Sequence, residues 1–168
     1  GWYAPPLNAM SPAATAWTPE RLHAFLRTGL DLDHAAAAGP MGEVTRDLSG
    51  APDADVRAIS AYIARQMAAA PAASGISSAM DRAGPAAHDH PLGAELYAGA
   101  CTGCHEPGAP MRSIGRPPLQ RGTPLQESTP RNTLLMIRQG LQPPVGRAGP
   151  YMPASGGSFT DAQLAELV

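Results

Sequence analysis

The chain's only two cysteines, Cys101 and Cys104, stand two residues apart in "AGACTGCHEPG", and His105 follows the second at once. Two thiols on one turn can hold zinc, shuttle a disulfide, or be consumed in covalent bonds to a prosthetic group. Zinc asks for four N or S ligands, which Cys101, Cys104 and His105 could supply together with His88 or His90. There is no second CxxC or HxxxH, however, and adjacent side chains seldom converge on one small ion. A redox-active dithiol usually opens a helix that follows a strand, where the helix N-terminus lowers the thiol pKa. Here the pair follows a helical pattern, and no βαβ pattern is present.

CxxCH is also the attachment signature of c-type haem. The two thiols become thioethers on one edge of the porphyrin, and the adjacent imidazole serves as proximal ligand to the iron. A second axial ligand must then come from a distant loop, and a thioether sulfur suits electron transfer better than oxygen chemistry. Met152, 47 residues beyond His105, is the natural choice; the alternative is a methionine that only fills core. An open distal position would instead allow a haem peroxidase. The pocket wall is assigned to Leu96, Tyr97, Leu119, Ile137 and Tyr151. Pro117 or Pro118 is placed to offer a carbonyl to the other nitrogen of His105, or lies in a solvated turn. His23, His34, His88 and His90 read as solvated surface or helix-end residues.

The elements that must position these groups come in two copies. "TPERLHAFLRTGL" from Thr18 and "TPRNTLLMIRQGL" from Thr129 run without a gap at an offset of 111. Each reads as a short helix with threonine as cap, proline at the first helical position and Gly29 or Gly140 as a left-handed stop. Leu22, Phe25 and Leu26 form one apolar face, and Leu134, Ile137 and Leu141 the other. The same offset carries Met41 onto Met152, across loops that otherwise share little. "APPLN" pairs with "RPPLQ" upstream, and "APDADVRAIS" with "FTDAQLAELV" downstream. In the second copy Thr160 and Gln163 predict a capping box, with Phe159 and Leu164 as hydrophobic staple. In the first, Val56, Ile59, Ile63 and Met67 form one stripe. A helix is predicted from about Leu92, with Leu96 and Tyr97 facing inward and the cysteines at its end.

The domain expectation is therefore residues 1–70 as the C-terminal part of one unit lacking its CxxCH, a Pro/Gly/Ala/Ser-rich linker over 71–87, and a second unit over 88–168 with CxxCH and distal methionine. The counterpart of His105 would fall before Gly1, and the last helix reads as cut short.

Composition agrees with small helical units. Apolar residues make up 43%, but only two Trp, four Tyr and two Phe can fill a core, so a large bound apolar group would compensate. The net charge of −2, with arginine as the only strong base, lacks the basic footprint nucleic acid requires. No apolar run approaches the roughly 20 residues that span a bilayer.

"GAELYAGACTGCH", "RPPLQ" and "YMPASGGSFTDAQLAEL", with "GWYAPPLN" and "HAAAAGPM" in the first copy, resemble the class I cytochromes c, and within them the multi-haem, three-haem cytochrome subunits of bacterial periplasmic dehydrogenases. The resemblance implies an all-α fold of two cytochrome c-like domains wrapped around haem, the first incomplete. It implies haem c on Cys101 and Cys104, His105 and Met152 as axial ligands, and Met41 as distal ligand of a haem attached outside this segment. It also implies a dehydrogenase partner of molybdenum hydroxylase, quinoprotein or flavoprotein type, the nicotinate dehydrogenase type among them, with quinone or a terminal oxidase as acceptor. The compartment implied is the periplasm, with membrane association only through a partner or a missing terminus.

Overall fold

The computed structural model describes residues 1–68, 86–106, 108–109, 117, 119–143, 146 and 152–168. Most of the expected linker, Tyr151 and Pro118 lie outside these residues. The described chain is helical apart from one two-residue hairpin, as expected of an all-α fold.

In the first copy, α1 (Pro19–Thr28) starts and stops as its sequence dictates. Thr18 Oγ1 accepts from the Arg21 amide at 3.2 Å, and Gly29 closes the helix at φ 76° in the left-handed region that glycine alone enters without strain. The chain then forms a hairpin, β1 (Leu30–Asp31) antiparallel to β2 (Ala35–Ala36), with Leu30 opposite Ala36. Next comes α2 (Pro40–Ser49), a helix where the sequence pattern suggests a loop. Proline at its first position and Glu43 in its first turn explain why a helix starts there. Finally α3 (Asp53–Met67) packs across α1.

Leu22, Leu26 and Val56 form the centre of this copy, surrounded by Trp17, Phe25, Met41, Leu48, Ala51 and Ile63. Arg27 holds the α2–α3 corner by donating to the carbonyls of Leu48 (2.9 Å) and Ala51 (2.7 Å), groups that a helix end leaves without internal partners. The buried stripe of α3 is Val56, Ser60, Ala64 and Met67, and Ile59 is exposed, contrary to expectation. A serine can take the interior position because its hydroxyl donates to the Val56 carbonyl one turn back at 2.7 Å.

The second copy contains α4 (Pro91–Ala100), the single turn α5 (Thr102–His105), two 3₁₀ turns (Leu119–Arg121 and Thr123–Leu125), α6 (Arg131–Gln139) and α7 (Asp161–Leu167). The capping box of α7 is present in both directions between Thr160 and Gln163, and Leu164 is 2% exposed. Helices α4 and α7 cross at Gly93, where a Cβ would come within 2.7 Å of the Glu166 carbonyl carbon. Only glycine permits this approach. Helix α6 differs from its counterpart in α1: it starts one residue late, with Pro130 rather than Thr129 at the cap position and no side-chain cap. Gly140 has φ 70° but an extended ψ of −177°, so it turns the chain into a strand instead of closing a left-handed cap.

The copies are fastened to each other. Asn132, 6% exposed, accepts from the Tyr3 amide and donates to the Tyr3 carbonyl, both at 2.9 Å, while also donating to Glu127. The Thr123 amide donates to the His34 carbonyl at 2.7 Å, and Arg121 pairs with Asp33, which also pairs with Arg21. His34 is 1% exposed, not solvated as its sequence context suggests. Its ring stacks on Trp17 at 3.5 Å, and its two nitrogens lie within hydrogen-bond distance of Asp31 Oδ1 (2.7 Å) and the Thr15 carbonyl (2.9 Å).

Candidate haem-attachment site

The three residues that opened the sequence argument fall on one turn. Cys101 ends α4, its amide donating to the Tyr97 carbonyl at 2.9 Å, and the Cys104 and His105 amides both turn back to the Cys101 carbonyl at 3.1 and 3.0 Å. Both thiols are free and half-buried. Around them, Thr102 Oγ1 donates to the Ala98 carbonyl at 2.8 Å, and the Tyr97 hydroxyl donates to Glu106 Oε1 at 2.9 Å. The CxxCH segment is thus tied at both ends to the last turns of α4.

Electrostatics distinguish the chemistries left open above. Burial, with a smaller contribution from Cys104, pushes the Cys101 thiol above its ordinary range. A reactive dithiol needs the opposite shift. Tyr97 is likewise pushed up, first by burial and then by its bond to Glu106, so its hydroxyl keeps the proton it donates. For zinc, the described residues bring no three His, Cys, Asp or Glu side chains together. His90 caps the far end of the ten-residue α4, roughly 16 Å from Cys101 at helical rise, and pairs with Glu166 at 3.2 Å.

Met152 is held from a different direction. Its amide and carbonyl pair with those of Leu141 at 3.2 and 3.0 Å in an isolated antiparallel bridge. The following residues close the end of α6: the Ser155 amide donates to the Ile137 carbonyl at 2.8 Å and the Gly156 amide to the Arg138 carbonyl at 3.2 Å. At Gly140 a Cβ would stand 2.7 Å from the Ala154 amide nitrogen, and at Gly156 it would stand 2.7 Å from the Arg138 carbonyl oxygen. These glycines let the methionine strand lie directly on α6, and a larger residue at either would displace it.

Of the wall residues, Leu96, Tyr97, Pro117, Leu119 and Ile137 are all half-buried. Tyr97 also borders a cavity at the α4–α7 crossing with Gly93, Ala94 and Leu167. Ile137 meets the methionine segment through its carbonyl, and Leu119 opens the first 3₁₀ turn. Met41 is the residue whose setting differs most from the loop assigned to it. It stands in the first turn of α2 and packs half-buried against the Leu22–Leu26–Val56 centre. The role of Glu106 is one the sequence reading misses; its place, directly after His105 and within reach of an aromatic hydroxyl one turn before Cys101, was the available signal.

Two thiols and an imidazole on one preformed turn, with a thioether on a separately fastened strand, make a donor set that fits haem c in kind. Comparison with known proteins gives the same answer. Residues 88–168 match the family described as cytochrome c oxidase, cbb3-type, subunit III. Over 99% of its length the chain is 34% identical to a nicotinate dehydrogenase subunit of Pseudomonas putida, of which it covers 14%. It is 28% identical, again over 99% of its length, to the fructose dehydrogenase cytochrome subunit of Gluconobacter japonicus, covering 39% of that protein. A third of the chain is 38% identical to a diheme cytochrome c-type protein of Cereibacter sphaeroides. The chain spans well under half the length of these relatives. Residues 88–168 are therefore the part of the chain that is similar to a cytochrome family.

Proposed function

We propose that the chain is an electron-transfer segment of a dehydrogenase, with one haem c bound through thioethers to Cys101 and Cys104 and with His105 and Met152 as its axial ligands. When bound, the haem supplies a one-electron couple between ferric and ferrous iron. The chain's own residues supply orientation: α4 and α5 present the thiols and imidazole, and the Leu141–Met152 bridge presents the thioether. With both His105 and Met152 as ligands the iron would have no place left for a substrate, which favours electron transfer over peroxidase chemistry.

The observation that carries this reading is the CxxCH turn, free-thiolled and prefolded at the end of α4. In the same reading, residues 1–70 are the C-terminal part of a first cytochrome unit, 71–87 the linker and 88–168 the second unit. Met41 is then the distal ligand of a haem attached outside this segment, supported by its register with Met152. The donor is a dehydrogenase catalytic subunit of molybdenum hydroxylase, quinoprotein or flavoprotein type, supported by the names of the relatives, and the acceptor a quinone or terminal oxidase. The compartment is the periplasm, where thioether attachment of haem takes place. No described helix is long and apolar enough to cross a membrane.

Intact mass under denaturing conditions tests the attachment, since thioether-linked haem survives denaturation. A mass one haem above the polypeptide is expected. A bare polypeptide mass from cells competent for haem attachment would overturn the reading and return zinc and dithiol chemistry to consideration.

A further inference from the structure

We propose that Tyr97 is a positioning residue for His105, acting through Glu106. The inference rests on the haem reading above and adds to it a determinant of how the proximal imidazole is held.

Helix α5 is one turn of four residues, too short to sustain itself, because a first helical turn fixes several dihedrals in return for one hydrogen bond. Its entry is well secured by the backbone bonds to Cys101 and by Thr102 on Ala98. Its exit is Glu106, whose backbone is extended at φ −72° and ψ 150° and which begins the departing chain. Two bonds hold that residue back: its amide to the Thr102 carbonyl at 3.1 Å, and its carboxylate to the Tyr97 hydroxyl at 2.9 Å. Of these two, the second runs out of the turn to α4, while the Glu106 carbonyl accepts forward from the Ala109 amide at 3.1 Å.

Tyr97 is a rigid anchor because α4 is locked against α7 at Gly93, where the two backbones touch. The strap therefore runs from a fixed helix to the peptide directly after His105 and encloses Cys101, Cys104 and His105 between its ends. Fixing that peptide fixes the Cα–Cβ direction of His105, the base from which its two side-chain torsions set the imidazole plane. Ligand orientation and the bonds behind it tune an axial histidine.

The strap makes two separable contributions, a hydrogen bond that orients and a carboxylate charge near the iron. Tyr97→Phe removes the bond and keeps the ring; Glu106→Ala removes bond and charge; Glu106→Gln removes the charge and keeps an oxygen that can accept. The haem-loaded chain is read by the low-spin ferric electron paramagnetic resonance g values, the reduction potential, and covalent haem by mass. Tyr97→Phe and Glu106→Ala are expected to shift the g values, and Glu106→Gln to retain the parent values while its potential rises, because a negative charge that favours ferric iron is gone. Parent g values and potential in Tyr97→Phe overturn the proposal. Should that variant fail to accumulate, unshifted g values in Glu106→Ala overturn it equally. A parent chain without covalent haem overturns the proposed function itself, an outcome that the mass reports separately.

Discussion

Gly93 and Gly99 lie in the same helix, α4, and substitution of each by alanine is expected to move stability in opposite directions. In a helix with open space around it, alanine is favoured over glycine by about 0.5–1 kcal/mol. Gly99 has nothing within 4 Å of its would-be Cβ, so Gly99→Ala should gain that amount. Gly93 meets the Glu166 carbonyl carbon at 2.7 Å and the Leu167 amide nitrogen at 3.4 Å, both backbone atoms that cannot rotate away. Relief requires α7 to retreat by more than about 1 Å, since the Glu166 carbonyl oxygen lies nearer still than its carbon. That retreat uncovers part of Leu164, now 2% exposed, a side chain whose full burial is worth about 1.5–3 kcal/mol. Overpacking of this kind costs about 1–3 kcal/mol, so after the helical gain Gly93→Ala should lose up to about 2.5 kcal/mol. The helical gain is common to both, so the two variants then differ by about 1–3 kcal/mol in urea unfolding followed by circular dichroism, with the Gly93→Ala midpoint the lower. A Gly93→Ala midpoint equal to or above that of Gly99→Ala would refute the claim that the crossing is closed at this residue.

Asn132→Ala removes three hydrogen bonds at the joint between copies, two of them to the exposed Tyr3, whose backbone water can serve instead; a loss of about 1–2 kcal/mol is expected, with faster amide exchange at Tyr3. Asp33 has its carboxyl held below the usual range, first by its bond from Arg121 and further by Arg21. Its folded pKa is thus below the unfolded value of about 3.9, so its stabilisation is present above that value and is lost as pH falls through the folded pKa. Asp33→Asn should therefore lower the thermal midpoint at neutral pH and lose its effect in strong acid. Met152→Leu is expected to abolish the near-infrared band of methionine-ligated ferric haem, while Met41→Leu leaves it in place, as one spectrum of each variant decides.

Sequence signals were readable where a local group satisfies a local need. Thr18, Pro19 and Gly29 mark α1 to the residue, and Thr160 with Gln163 marks the start of α7, because each cap is completed within four residues. Signals completed from elsewhere were not readable. Thr129 sits where Thr18 does, yet the start of α6 is organised around Asn132, whose amide is claimed by Tyr3 at a separation of 129 residues. Ile59 was placed on the apolar stripe, but α3 turns Ser60 inward instead, since its hydroxyl finds an acceptor on its own helix. His34 was hidden for the same reason: its partners Thr15 and Trp17 lie beyond the range in which a histidine announces its surroundings.

The two methionines show how far a repeat can be trusted. Their common offset of 111 is a property of chain length, and chain length is preserved here while local structure is not. After Gly140 the extended ψ sends the chain straight into the bridge that holds Met152; after Gly29 the left-handed cap sends it into a hairpin, and Met41 arrives inside a helix instead. One glycine torsion, ψ 13° against ψ −177°, separates the paths at their start. A further glycine, Gly39 at φ 51°, commits the first copy to its course, for the Trp2 ring lies where a Cβ would be, with Cδ2 at 2.6 Å. The stretch that presents a thioether in the second copy is thus, in the first, covered by the "GWYAPPL" segment that the repeat places before it. Met41 in this setting packs on Leu22, Leu26 and Val56, so a role as an iron ligand requires it to leave that core. Met152 stands on a strand fastened to Leu141 in the same copy as the CxxCH turn, and that placement is the physical reason to expect the two substitutions to part company.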